Sequence, residues 1–147
     1  MLVRQASVLD LDALVPLFDA YRRFYGRTSD VEGARAFLLA RFEHQQSVVF
    51  LACSERGDAV GFTQLYPSFS STAMARIFVL NDLYVDPGAR RRRVGWQLLE
   101  AAAAHARAVG AVRLTLSTAV DNDEAQALYR ATGWQRDEQF HVFNKVL

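Results

Sequence analysis

Four successive arginines, Arg90 to Arg93, stand between an apolar strand and a helix start, and this junction constrains the chain more than any other stretch. The segment NDLYVDPGARRRRVGWQLL, residues 81–99, reads as a strand, a turn at Pro87-Gly88, a basic loop and a helix opened by Gly95. The first N–H groups of a helix lack intrahelical partners and carry positive partial charge, so such a junction is an anion site. The arginines add mobile positive charge, and Gly95 lets the backbone come close to a bound group.

The basic run is local, because the net charge is only +1 over 147 residues. That balance argues against general nucleic-acid binding, which calls for a basic face over much of a domain. The length suits one domain, 1–147, able to bury about two-thirds of its unfolded surface. A single cysteine, Cys53, excludes an internal disulfide and a cysteine-based metal cluster. His44, His105 and His141 show no ligand spacing, so no metal is expected. No long apolar run or signal-peptide pattern opens the chain, so a soluble cytoplasmic protein without membrane attachment is expected.

Periodicity supplies the rest of the outline. Val3 to Ala6 reads as a first strand. Ser7-x-x-Asp10 resembles a capping box before a helix bearing Leu11, Leu14, Phe18, Tyr21 and Tyr25, which Pro16 is expected to bend or shorten. A second helix fits Val31 to Glu43. Ser47 to Ser54 and Ala59 to Tyr66 form a hairpin about the turn at residues 55–58. Pro67 to Ala75 reads as a small-residue loop around Phe69, and Arg76 to Val85 as the next strand. A helix from about Val94 to Val109 stops at Gly110. Val112 to Thr118 is a strand, Asp121-x-x-Glu124 opens a helix ended by Gly133, and His141 to Leu147 alternate as a final strand. The pattern is α/β: a mixed sheet flanked by helices, with parallel crossovers in its second half.

Two separated motifs in this outline resemble those of the GNAT acyltransferases. The pyrophosphate loop of that family, Gln/Arg-x-x-Gly-x-Gly/Ala, aligns with Arg90 to Gly95 after Val85-Asp86-Pro87. The later Asn-x-x-Ala-x-x-x-Tyr pattern with a closing Gly-aromatic pair appears as Asn122, Ala125, Tyr129, Gly133 and Trp134. The match covers nearly the whole chain. It implies a mostly antiparallel central sheet with a splayed parallel pair at the CoA site, and transfer of acetyl from acetyl-CoA to an amine by direct attack. The segment LNDLYVDP and the aromatic first helix look most like the Hpa-type and polyamine-type branch. In that branch the acceptor is a polyamine, an amino acid, a related small amine or a basic protein tail. Members often pair through late strands, which implies a homodimer. Alternatives are a protein or peptide amine acetyltransferase and a non-enzymatic acyl-CoA-binding module.

By the same resemblance Leu83, Tyr84 and Val85 contact the pantetheine arm. Arg90, Arg91, Arg92, Arg93, Val94, Gly95 and Trp96 hold the phosphates, and Asn122, Ala125 and Tyr129 face the cofactor. Tyr129 is the general acid for the departing thiolate, a role that typically contributes about 10²–10⁴ in rate. The loop departs from the family at Arg93, where glycine is usual; the arginine is expected to keep an ordinary conformation and offer its N–H.

The acceptor poses its own proton problem. An alkylamine with a pKa of about 10.4 is mostly protonated at pH 7, at a cost of roughly 4–5 kcal/mol for the neutral form. Asp82, in an otherwise apolar strand, is the candidate base or cation-attracting group. Alternation sets it with Tyr84 on one face, opposite Asn81, Leu83 and Val85. Asn81 occupies the place of a basic glutamate proposed in polyamine acetyltransferases and cannot act as a base. Tyr21, Phe24, Tyr25, Tyr66 and Phe69 are the aromatic candidates for the acceptor pocket, since ring faces suit alkylammonium groups.

Overall fold

A computed structural model describes residues 1–147, as two compact units, Met1–Ser117 and Thr118–Leu147. The first carries β1 (Leu2–Gln5), α1 (Leu11–Phe24), α2 (Val31–Glu43), β2 (Val48–Cys53), β3 (Ala59–Ser70), β4 (Ala75–Val85), α3 (Val94–Ala108) and β5 (Leu114–Thr115). The second carries α4 (Asp123–Ala131). The sheet runs β1-β2-β3-β4-β5, antiparallel except for the parallel pair β4-β5 that α3 connects. No helix is long and apolar enough to cross a membrane.

The helices divide between the sheet's faces. Leu14, Phe18, Ala34 and Leu38 of α1 and α2 pack with Val49, Leu51 and Phe62 on one face. On the other, α3 lies against Gly61 through Val94 and Leu98, and His105 meets the ring edges of Phe50 and Phe78. His105 is therefore a half-buried packing residue.

The Ser7–Asp10 capping box forms as the spacing predicts, closing a 3-10 turn at Val8–Asp10 that leads into α1. The helix then continues unbroken through Pro16. Pro16 lies on the exposed side of the helix, while Leu14, Val15, Leu17 and Phe18 are buried around it.

The segment read as a loop from Pro67 is mostly strand. β3 continues to Ser70 and pairs with β4 through Ser70↔Ala75. Its pairing with β2 ends at Leu65, so Pro67 sits where β3 is open on that side and a missing N–H is tolerated.

No strand forms over His141–Leu147. Alternation alone does not make a strand, which also needs a partner ladder. The last helix is capped by Asn122, whose side chain accepts from the Ala125 N–H at 3.1 Å, rather than by Asp121.

Candidate active site

The site is built on an irregularity in β4. Opposite β3, Asp82 pairs with Gln64 but Leu80 pairs with Leu65, so Asn81 is an extra residue, a β-bulge. The bulge resets the alternation. Phe78 and Leu80 face α3, whereas Asp82 and Tyr84 face α1, beside Gln64 and Phe62. Asp82 and Tyr84 share a face as expected, and Asn81 belongs to neither ladder.

Asp82 is only 3% exposed, and no lysine or arginine lies within ion-pair distance of it. Gln64 Nε2 donates to its Oδ2 at 2.5 Å and Asn81 Nδ2 to its Oδ1 at 2.9 Å. The Tyr21 hydroxyl donates to the Asn81 carbonyl at 3.2 Å and also faces the carboxylate. Burial pushes the Asp82 carboxyl above the usual carboxylate range, against the lowering effect of those hydrogen bonds. Burial first, and the neighbouring Asp82 second, push the Tyr21 and Tyr66 phenols up as well. The result is a buried acid flanked by two protonated phenols, an arrangement suited to holding or accepting one proton from a cation.

Tyr21 stands at the base of an aromatic run. Its ring is 5.1 Å from Tyr25, which is 5.3 Å from Phe24, and both outer rings are more than half exposed. Phe69 is not gathered with them. It sits across from Arg76 on the α3 face of the sheet, with that guanidinium 4.9 Å from its ring.

At the other functional element, β4 outruns its parallel neighbour. Its last pair with β5 is Val79↔Thr115, so Leu80 to Val85 have no strand on that side. This free edge ends at Asp86, whose side chain accepts from the Gly88 N–H at 2.9 Å, and the arginine loop follows. Arg90 Nε turns back to the Val85 carbonyl at 3.1 Å. Arg91, Arg92 and Arg93 are exposed and form no ion pair.

The expectation for Arg93 is overturned. Its backbone is left-handed, φ 59° and ψ 23°, and Arg91 has φ 64°. The turn into α3 demands the geometry that glycine usually supplies, and the chain adopts it with an arginine whose guanidinium lies 4.6 Å over the Trp96 ring. An open strand edge leading into unpaired cations and the free N–H groups of α3 fits a diphosphate carrying an extended amide-bearing arm.

In the second unit, Asn122, Ala125 and Tyr129 are half-buried along one side of α4. The Trp134 ring lies 6.0 Å from the Tyr129 ring, and the Trp134 backbone N–H donates to the Tyr129 carbonyl at 2.9 Å. Gly133, with φ 91°, makes that return. The motif's Asn122 is thus first a helix cap.

Sequence reasoning missed Gln64. Its signal is the polar pair Thr63-Gln64, both fully buried, inside an apolar strand. Thr63 Oγ1 donates to the Asp82 carbonyl at 2.8 Å, so both members hold the same residue.

The Acetyltransferase (GNAT) family is matched by residues 14–134. An uncharacterized N-acetyltransferase, YhfO, of Bacillus subtilis strain 168 is 49% identical over 140 residues, 95% of this chain and 93% of its own. The crystal structure of a probable acetyltransferase is similar with a TM-score of 0.95 and 42% identity, covering 100% of this chain and 98% of that one. An aminoglycoside N(6')-acetyltransferase type 1 of Stenotrophomonas maltophilia is 28% identical over 148 residues, 99% of this chain and 93% of its own.

Proposed function

The chain belongs to the GNAT acetyltransferase family and is an acetyl-transferring enzyme; we propose that its acceptor is the primary amine of a small molecule, acetylated by direct attack in the cytoplasm. The candidates are a polyamine, an amino acid or a related amine, as in the Hpa-type and polyamine-type branch. The observation that carries the reading is the buried, cation-free Asp82 beside Tyr21 and Tyr66, under an exposed aromatic run. A carboxylate so placed favours an ammonium group, and ring faces favour its alkyl body. The relative named as an aminoglycoside N(6')-acetyltransferase supports a small-molecule amine as acceptor.

Acetyl-CoA, the family's co-substrate, supplies the acetyl thioester. The β4 edge from Leu83 to Val85 would pair with its amides, and the Arg90 to Trp96 segment would hold its phosphates. Asp82 attracts the acceptor's ammonium and takes its proton, directly or through water, leaving a neutral nitrogen for attack. Tyr129 protonates the departing thiolate. Cys53, buried on β2, takes no part.

We also propose a homodimer formed through the C-terminal segment. Phe140, Val142, Phe143, Val146 and Leu147 are each at least 75% exposed, an apolar run of the kind that marks an interaction surface.

Isothermal titration with acetyl-CoA, followed by a free-thiol release screen over polyamines, D- and L-amino acids, aminoglycosides and basic peptides, tests the reading. Release with small amines is the expected result. Release with basic peptides alone would overturn the small-molecule acceptor.

A further inference from the structure

We propose that Gln64 is a positioning residue that fixes the plane of the Asp82 carboxylate and keeps it ready for a substrate ammonium. The inference rests on the reading of Asp82 given above and adds to it a residue that the loop and tyrosine motifs do not include.

Position and burial make the first argument. Gln64 is 0% exposed, on the face of β3 that carries Phe62 into the core. An apolar side chain of the same length would fill that position without an amide to satisfy. The amide is not fully satisfied: Nε2 donates to Asp82, while Oε1 is buried with no partner. A fold selected for stability alone has no use for that arrangement. The only group Gln64 serves is the carboxylate.

Geometry makes the second. Each carboxylate oxygen is held by one amide, Oδ1 by Asn81 and Oδ2 by Gln64. The Asn81 amide rides on an exposed bulge residue, whereas the Gln64 amide is packed in place. The bulge is also what turns Asp82 toward Gln64; regular alternation from Leu80 would have put the two β4 residues on one face. Bulge and glutamine therefore act on the same carboxylate from its two sides.

The titratable groups facing Asp82 are Tyr21 from α1 and Tyr66 from β3. Arg41 of α2 reaches only the neighbourhood of Tyr66. With no cation against the carboxylate, the Gln64 donor is the principal support for its ionised form within the core.

The test needs no acceptor. Free enzyme labelled with carboxyl-13C aspartate is titrated by NMR, and the Asp82 resonance is assigned by its loss in Asp82→Asn. In Gln64→Met the Asp82 midpoint should rise by about one pH unit, because a donor to the charged form is gone. In Gln64→Glu, which keeps the side chain's shape but brings a second carboxyl group, it should rise further. Acetyl-CoA affinity by titration calorimetry should stay within about twofold in both, since Gln64 lies on the face opposite α3. An unchanged midpoint in both variants would overturn the inference, as would loss of the folded state in both, which would make Gln64 a structural residue only. Failure of the Asp82 reading shows separately, as unaltered amine-dependent thiol release in Asp82→Asn.

Discussion

Gly61 of β3 and Val94, the first residue of α3, are packed so closely that a methyl group on Gly61 would stand 3.3 Å from Val94 Cγ1. The same methyl group would lie 2.9 Å from the Tyr84 carbonyl oxygen. The sheet thus sets where α3 starts, and with it where the arginine loop presents its N–H groups. Gly61→Ala should cost about 1–3 kcal/mol of stability, measured by urea unfolding, and weaken acetyl-CoA binding in calorimetry. Binding at the wild-type level in a destabilised Gly61→Ala would separate the loop from this contact.

The left-handed Arg93 makes a prediction that depends on side-chain shape. Valine at φ 59° should lower stability by about 1–3 kcal/mol, since a β-branched residue is a poor fit there. Glycine relieves about 1–2 kcal/mol of strain but loses about 0.5–1 kcal/mol through added freedom of the unfolded chain. Arg93→Gly should therefore be between equal to wild type and about 1.5 kcal/mol more stable, while binding acetyl-CoA less tightly. Equal unfolding midpoints for the glycine and valine variants would rule out backbone strain at this position.

Asp82 makes stability fall with rising pH. Its carboxyl is raised in the folded protein by burial, so the folded state holds the proton at pH values where the unfolded chain has released it. The associated stability is complete below the ordinary carboxylate range, about pH 4, and is lost as pH rises through the raised value. Asp82→Asn should match the wild-type melting temperature near pH 4 and exceed it increasingly toward neutrality. A parallel pH dependence in the two proteins would contradict the burial effect.

Tyr129→Phe keeps the ring against Trp134 and removes the hydroxyl. Thiol release at saturating substrates should drop by about 10²–10⁴, with acetyl-CoA affinity retained. A drop of less than tenfold would move the general-acid role to another group.

If the proposed homodimer forms through this segment, truncation after Gln139 should leave a monomer in light scattering where the full-length protein is a dimer. A full-length protein that is already monomeric would dismiss the paired arrangement.

The local patterns were legible in the residues because they depend on near neighbours. The Ser7–Asp10 box, the helix faces, and the strand-turn-basic loop-helix order from Arg76 to Ala108 follow from spacing alone. What spacing missed had long-range causes. The strand content of Pro67 to Ser70 depends on its ladder with β4, from Pro67↔Phe78 to Ser70↔Ala75, and Pro67 is tolerated there because β2 stops at the pair Val48↔Leu65. His141–Leu147 alternates yet is not a strand, because alternation within a segment does not supply the partner that a ladder requires.

The candidate site divides in the same way. Asp82 stands out in the sequence as a lone acid in an apolar strand, and Tyr21 and Tyr66 as aromatics at suitable places. That Asp82 lies against Gln64, residues 18 apart in the chain, was decided by a one-residue bulge in the register. Whether Arg93 is left-handed was decided by the turn that β4 and α3 impose on the loop between them. The sequence by itself determined which groups this protein has for binding phosphate and meeting a cation, because residue type and local period carry that information. The packing of distant strands and helices decides which of them touch and in which direction their proton affinities shift, because register, burial and backbone strain arise only there.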